Sequence, residues 1–346
     1  MISISVILKE EWIMSNAILS IKAKLSHTGE SIRHPFRVIV EKEMADHIRS
    51  WRFIILIAII ALTTIGSLYT ALTNFSQAVK PNDPEGTFFF LKLFTITDGT
   101  MPSFTVFISF LGPLLGIALG FDAINSEHNR GTLGRMLSQP IHRDYIINAK
   151  FTAALAVISV MLTALGLLVM GAGLFFIGIP PTAGEFMRIV FFTILSILYV
   201  AFWLNLSILF SVLFRQPATA ALSAIAVWLF FSVFYPLIIN LITKSLEPPP
   251  TATPQHMIAF EQFRLVLLRL MPNQLFSEAT TTLLMPSVRS LGPLTMEQMI
   301  GALPGPLPLG QSLLMVWPQV TGLASGTIIS FVISYILFMR REIRSR

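Results

Sequence analysis

Six long runs without a single Asp, Glu, Lys or Arg constrain this chain more than any other feature: residues 53–79, 99–121, 151–184, 189–214, 216–243 and 312–339. Each is at least as long as the roughly 20 apolar residues that cross a bilayer as a helix. They predict spans at about 53–73, 103–121, 152–178, 189–213, 218–242 and 312–338. Composition agrees, because charged residues make up only 12% of the 346, about half the usual soluble share, and mean hydropathy is +0.73. The expected fold class is an all-α polytopic membrane protein with six transmembrane helices. There is no cysteine, so disulfides, thiolate nucleophiles and Cys-based metal sites are excluded. The net charge of +6 calls for no nucleic-acid partner, because membrane proteins concentrate Lys and Arg on the cytoplasmic side. No cleavable signal peptide is legible in the first 35 residues, and Met14 is an alternative start.

With an even number of spans both ends lie on one side. That side holds seventeen Lys and Arg against seven on the other. Both termini and the 122–150 loop are therefore expected in the cytoplasm of a cell-membrane protein. Residues 1–52 form a cytoplasmic N-terminus. Within it, Phe36, Val40, Met44, Ile48 and Trp51 recur at helical spacing, with Arg37, Glu41, Lys42, Asp46 and Arg49 on the other faces. This predicts an amphipathic interface helix over about 35–52; the plainer alternative is a solvated start to the first span. Spans one to five occupy 53–242. Residues 243–311 form an external segment with an amphipathic helix near 257–270, read as a small subdomain or gate, or as a passive connector. Span six and a basic tail complete the chain.

Gly112, Gly116 and Gly120 repeat every fourth residue in span two, where they let a neighbouring helix approach closely. Packing within the chain is the default reading, a second copy the alternative. Gly166, Gly171 and Gly173 of span three invite the same question.

Catalytic patterns are missing from the sequence: no phosphate loop, no HExxH, no GxSxG, and no two histidines spaced as helical ligands. Asn205, Ser207 and Ser211 of span four and Asn240 of span five are the candidate pathway residues, although such side chains more often bond neighbouring helices. Spans without coupling charges or a nucleotide site draw energy from elsewhere. That directs attention to Asp122–Lys150, DAINSEHNRGTLGRMLSQPIHRDYIINAK. Asn125 or Ser126 can cap a short helix with Glu127 in its first turn, Arg130-Gly131-Thr132 breaks it, and Thr132 can cap a second helix, 133–137, ahead of Pro140. Asp144 can cap span three. The resulting hairpin is expected to present Leu133, Met136 and Leu137 to a partner's groove, or to fold them back onto the bilayer.

At these residues the chain resembles the permease subunits of ABC-2-type transporters, in SEHNRGTLGRMLSQPIHR and the lysine that opens span three, Lys150. EKEMADHIRSWRF resembles the family's interface helix, with its Lys-Glu pair at Lys42 and Glu43. MPNQLFSEATTTLLMP and FMRREIR resemble segments before span six and at the C-terminus. The layout is most similar to that of NosY-like permeases. The resemblance implies a homodimer of permease chains working with two cytoplasmic ATPase subunits. ATP and Mg2+ bind in those subunits, and no cofactor binds in this chain. Residues 122–142 would supply the coupling helix. Glu127, Arg130, Gly131, Thr132, Leu133 and Met136 are carried over as ATPase contacts, the apolar pair filling the groove. The expected function is a non-enzymatic exporter subunit. The alternatives are an ATPase-driven mechanical device acting on an extracytoplasmic partner, a secondary carrier and, last, an intramembrane enzyme.

Overall fold

A computed structural model describes residues 34–74, 88–97, 101–139, 141–178, 180–249, 251–293 and 306–340. The polar N-terminus to residue 32, the start at Met14, Pro140, the Pro- and Gly-rich 301–305, the basic tail beyond 340 and the Leu137 side chain lie outside the described residues. The elements are α1 (Pro35–Ile48), α2 (Trp51–Thr73), α3 (Phe89–Thr95), α4 (Phe104–Gly120), α5 (Asn125–Asn129), α6 (Thr132–Leu137), α7 (Arg143–Ile177), α8 (Ala183–Leu213), α9 (Pro217–Leu229), α10 (Tyr235–Ser245), α11 (Pro254–Leu268), α12 (Pro272–Leu284) and α13 (Leu309–Arg340). A π-turn at Phe230–Phe234 joins α9 and α10 into one spanning rod. Among the described residues six helices are long and apolar enough to cross a membrane, centred on the six expected runs. Among the described residues there is no strand.

Local chemistry sets the helix starts. Ser50 Oγ accepts the Phe53 N–H and opens α2. Thr182 and Glu185 form a reciprocal capping box at the head of α8. Prolines sit in the first turns of α1, α9, α11 and α12, where a missing N–H costs nothing. The Ser50 cap also changes one expectation. It ends α1 near Ile48 and assigns Trp51 to α2, so both of these side chains are exposed. Ile39 and Glu43 are the buried residues of α1, which packs against the start of α7, with Tyr145 between His34 and Phe36.

The core is organised around α8. It buries Trp203, Tyr199 and Leu204 completely, with α4 on one flank and α13 on the other. The glycine stripe explains the first contact. A Cβ on Gly116 would stand 2.7 Å from the Val200 carbonyl oxygen and 2.9 Å from the Leu204 nitrogen, and one on Gly120 would stand 2.8 Å from the Leu204 oxygen. Only a hydrogen fits, so α4 lies backbone to backbone on α8 within one chain. Gly173 of α7 likewise admits Phe90 and Leu93 of the aromatic helix α3, whereas Gly171 faces open space.

Spanning helices run past their apolar cores. α7, with 35 residues, is about 52 Å long against a hydrocarbon layer of about 30 Å. As a result α7 contains Lys150, and α8 contains Glu185 and Arg188, all buried. The expectation of charge-free spans holds for the apolar runs and fails for the helices, because a helix continues as long as its backbone bonds are made.

Between α10 and α13 the chain folds into a helical hairpin. α11 runs back along α10, where Tyr235 donates to the Leu267 carbonyl and Arg264 to Asn240 Oδ1. α12 then rises between α8 and α13: Asn273 meets Tyr199, Phe276 stacks on the Tyr199 ring at 4.4 Å, and Arg188 donates to the Leu283 carbonyl at 2.9 Å. Arg188 and Tyr199 are separated by roughly 16 Å along α8, and that is how far α12 reaches into the bundle. Glu278, buried on α12, is held by Arg269, Gln274 and Gln319.

Candidate functional site

At the end of the bundle opposite the hairpin, α1, α5 and α7 converge on a buried ion cluster. Lys150 sits in the third turn of α7 with its ammonium 2.9 Å from Glu43 Oε2 and 2.9 Å from Glu127 Oε1. Lys42, half exposed, approaches Glu43 at 2.8 Å, Asp46 at 3.3 Å and Glu127 at 3.7 Å. The two ammonium groups thus alternate with the buried Glu43 and Glu127 carboxylates, with Asp46 at the exposed edge, the condition under which buried charge is tolerated. Burial works against the Lys42 ammonium, but the hydrogen bond and charge of Glu43, then Glu127 and Asp46, raise it above the ordinary lysine value. Burial also pushes Glu43 toward protonation; Lys150 and Lys42 overcome that push and hold it below the ordinary carboxylate value. Nearby His47 is lowered, burial outweighing the attraction of Glu43.

The loop itself is tied to four helices. Arg52 of α2 pairs with Asp122 at 2.7 Å and lies over the Phe121 ring. Ser211 Oγ near the end of α8 accepts the N–H groups of Ile124 and Asn125 at 2.9 and 3.2 Å. Asn129 donates to the Arg215 carbonyl. These bonds replace the expected caps. Ile124, not Asn125 or Ser126, stands before α5, and Ser126 donates back to Asp122. Gly131, at φ 69°, precedes α6 in the left-handed region that glycine reaches without strain, and Thr132 donates to the Glu127 carbonyl instead of capping. At the start of α7, His142 stands before the helix with no side-chain cap, and Asp144 lies in its first turn.

Lys42, Glu43 and Glu127 are therefore brought together, with Lys150 at their centre. Arg130, Gly131 and Arg135 are exposed at the tip. Leu133 is not presented there. It is 2% exposed and belongs to the core, and Met136 is partly buried against that core. The amphipathic side of a helix as short as α6 turns inward because the bundle offers apolar surface and water does not. Among the described side chains the exposed tip is basic and polar. The four candidate pathway residues do not converge. Asn205 donates to the Thr327 carbonyl of α13, Ser207 to the Ile117 carbonyl of α4, Ser211 holds the loop, and Asn240 meets Arg264.

The family model of the ABC-2 family transporter protein matches residues 37–343. The chain belongs to the ABC-2 family. It is also similar to the probable ABC transporter permease protein NosY of Pseudomonas aeruginosa, 26% identical over 215 residues that cover 58% of this chain and 67% of that protein. ABC-2 permeases are the membrane subunits of ABC transporters and imply a cytoplasmic ATPase partner. In this member of the family, the segment between spans two and three holds two short helices anchored on buried charge.

Lys150 stands in the sequence as the motif's lysine, with no role that its spacing assigns. Its signal is a lone cation at the edge of a long apolar run, which helical continuity carries into the bundle. Arg188, at the head of span four, carries the same signal and went unassigned. It is 1% exposed and donates to the carbonyls of Leu283 and Leu307 and to Ser312 Oγ.

Proposed function

We propose that this chain is the permease subunit of an ATP-driven exporter, and that the 122–142 segment takes up work from a separate ATPase. In this reading both termini and the loop face the cytoplasm. Two permease chains pair as a homodimer, with two ATPase subunits beneath them. The observation that carries the reading is the cluster of Lys150, Glu43 and Glu127. It fastens the loop to α1 and to the foot of α7, so a push on the exposed tip displaces helices rather than bending a slack loop. Arg130 and Arg135 steer the tip onto an acidic groove of the ATPase, and Gly131 sets its angle. Leu133 and Met136 contribute by keeping the tip rigid, in place of filling the groove.

The experiment co-expresses the chain with its ATPase and compares wild type with Gly131→Pro and Arg135→Glu. Retained membrane insertion with loss of ATPase association, or of ATP-driven transport, supports the proposal. Unchanged association and transport in both variants sinks it. Leu133→Asp is a poorer probe, because it places a charge in the core.

A second reading is favoured by the α11–α12 hairpin, wedged between α8, α10 and α13. Here the ATPase rocks those helices and the hairpin acts on an extracytoplasmic partner without translocation. Substrate flux in vesicles separates the two readings: flux belongs to the exporter, ATP-dependent partner release without flux to the mechanical device.

A further inference from the structure

Viewed along its axis, α2 turns one apolar stripe outward. Trp51 is 77% exposed and Tyr69 70%. The eighteen residues between them make about five turns, so both rings stand on one line of the helix, about 27 Å apart. Ile55, Ala58, Leu62 and Ile65 lie within about 40° of that line, and all four are exposed. Phe53, Ile60 and Thr64, on the opposite side, are buried. The separation of the two rings matches a hydrocarbon layer of about 30 Å, and Trp and Tyr gather at the two boundaries of such a layer. A neighbouring protein helix would cover the stripe without calling for an indole and a phenol at its ends. This is the pattern of a helix that faces acyl chains, with Trp51 at headgroup level.

Just before Trp51 the chain turns from α1 into α2 and brings cations to that level. Most of them are neutralised: Arg37 pairs with Glu41, Lys42 belongs to the ion cluster, and Arg52 is held by Asp122. Arg49 is different. It is exposed, and among the described residues its guanidinium makes no ion pair or hydrogen bond. Ile48 and Trp51, both exposed, flank it in the chain. The N-terminus of α2 adds its partial positive charge at the same corner.

We infer that the α1–α2 corner binds an anionic phospholipid, with its phosphate against Arg49 and its acyl chains along Trp51, Ile55 and Leu62. A zwitterionic headgroup carries its own cation beside the phosphate, so an unpaired arginine favours a lipid of net negative charge. The leaflet concerned, the cytoplasmic one, rests on the orientation under Proposed function. The binding itself is tested in bilayers whose two leaflets are alike and without the ATPase, so either reading can fail while the other stands.

The chain has no cysteine, so Ile55→Cys gives one thiol on the stripe, to which a bimane fluorophore is attached. The labelled full chain is placed in bilayers mixing phosphatidylcholine with phosphatidylglycerol, one of the two brominated in its acyl chains. Bromine quenches bimane on contact, so the ratio of the two quenching curves reports which lipid occupies the corner. Phosphatidylglycerol should be favoured about fivefold, the worth of one basic residue near a charged membrane surface. Arg49→Gln should abolish that preference while leaving quenching by phosphatidylcholine intact, and Arg49→Lys should keep it. Equal quenching by the two lipids in the wild-type background overturns the inference, as does a preference that survives Arg49→Gln or is lost in Arg49→Lys. Absence of quenching by either lipid would also overturn it, because the stripe would then be covered by protein.

Discussion

Replacing Lys150 by Met removes one ammonium from between two buried carboxylates while keeping a long unbranched side chain. Each contact at 2.9 Å carries about 6 kcal/mol of Coulomb energy at an effective dielectric of about 20, before the desolvation of both ions is counted. That desolvation cancels much of it, so the intact cluster is close to neutral in net stability. Losing one member is not neutral. Glu43 and Glu127 would be left with Lys42 alone, and a buried charge stripped of its partner costs about 3–5 kcal/mol. The assay is equilibrium unfolding of the purified chain in mixed micelles, run as a cycle with Glu127→Gln. Lys150→Met should cost about 3–5 kcal/mol, and the double variant about 1–3 kcal/mol less than the sum of the single ones. A loss for Lys150→Met below about 1 kcal/mol, the scale of an exposed pair, or strict additivity in the cycle, would mean that Lys150 does not neutralise the two carboxylates.

Other consequences follow from packing and charge. Gly116→Ala should destabilise by about 1–3 kcal/mol, because its Cβ meets the backbone of α8, whereas Gly171→Ala, with nothing within 4 Å, should be neutral or slightly stabilising; thermal unfolding of the two side by side checks this. Stability should fall in two steps on acidification. His47 is depressed when folded, so the unfolded chain takes up the extra proton and stability drops below the ordinary histidine value of about 6.5. Glu43, a depressed carboxylate, contributes stability above about 4.5 that is lost below it. In a pH series of unfolding curves, His47→Gln should remove the first step and leave the second. Arg188→Met should cost about 2–5 kcal/mol, since it strands the carbonyls of Leu283 and Leu307 and unseats α12; faster proteolysis between α12 and α13 would report it.

Much of this fold was legible because hydropathy and helix length are linked by the bilayer. The six runs located six helices, and Gly116 signalled a close approach whose partner only the fold identifies as α8. The amphipathic spacing before span one gave a helix but ran it past Ser50, which starts a new one, and Glu43 is bound by Lys150, more than a hundred residues away in sequence. The same distance hid the candidate site. A lysine at the edge of an apolar run reads as the end of a span, and only the packing of α1 and α5 against α7 turns it into the centre of a cluster. Leu133 illustrates the opposite error. An apolar residue on a short polar loop reads as exposed until a neighbouring core is there to receive it. The insertion of α12 was not legible either, because the polar Glu278, Thr280 and Thr282 are buried only once α8 and α13 are packed around them.

The central claim is that the basic tip between spans two and three is where the ATPase engages. A chain without cysteine permits a direct measurement: Arg135→Cys is the sole thiol, and a bifunctional maleimide–diazirine reagent attached there is photolysed in membranes that hold the assembled transporter. Arg135→Cys should give a cross-linked product between this chain and the ATPase subunit whose yield changes on addition of ATP, with none from a thiol placed at the hairpin by Arg264→Cys. Cross-links to the ATPase from Arg264→Cys and none from Arg135→Cys would contradict it.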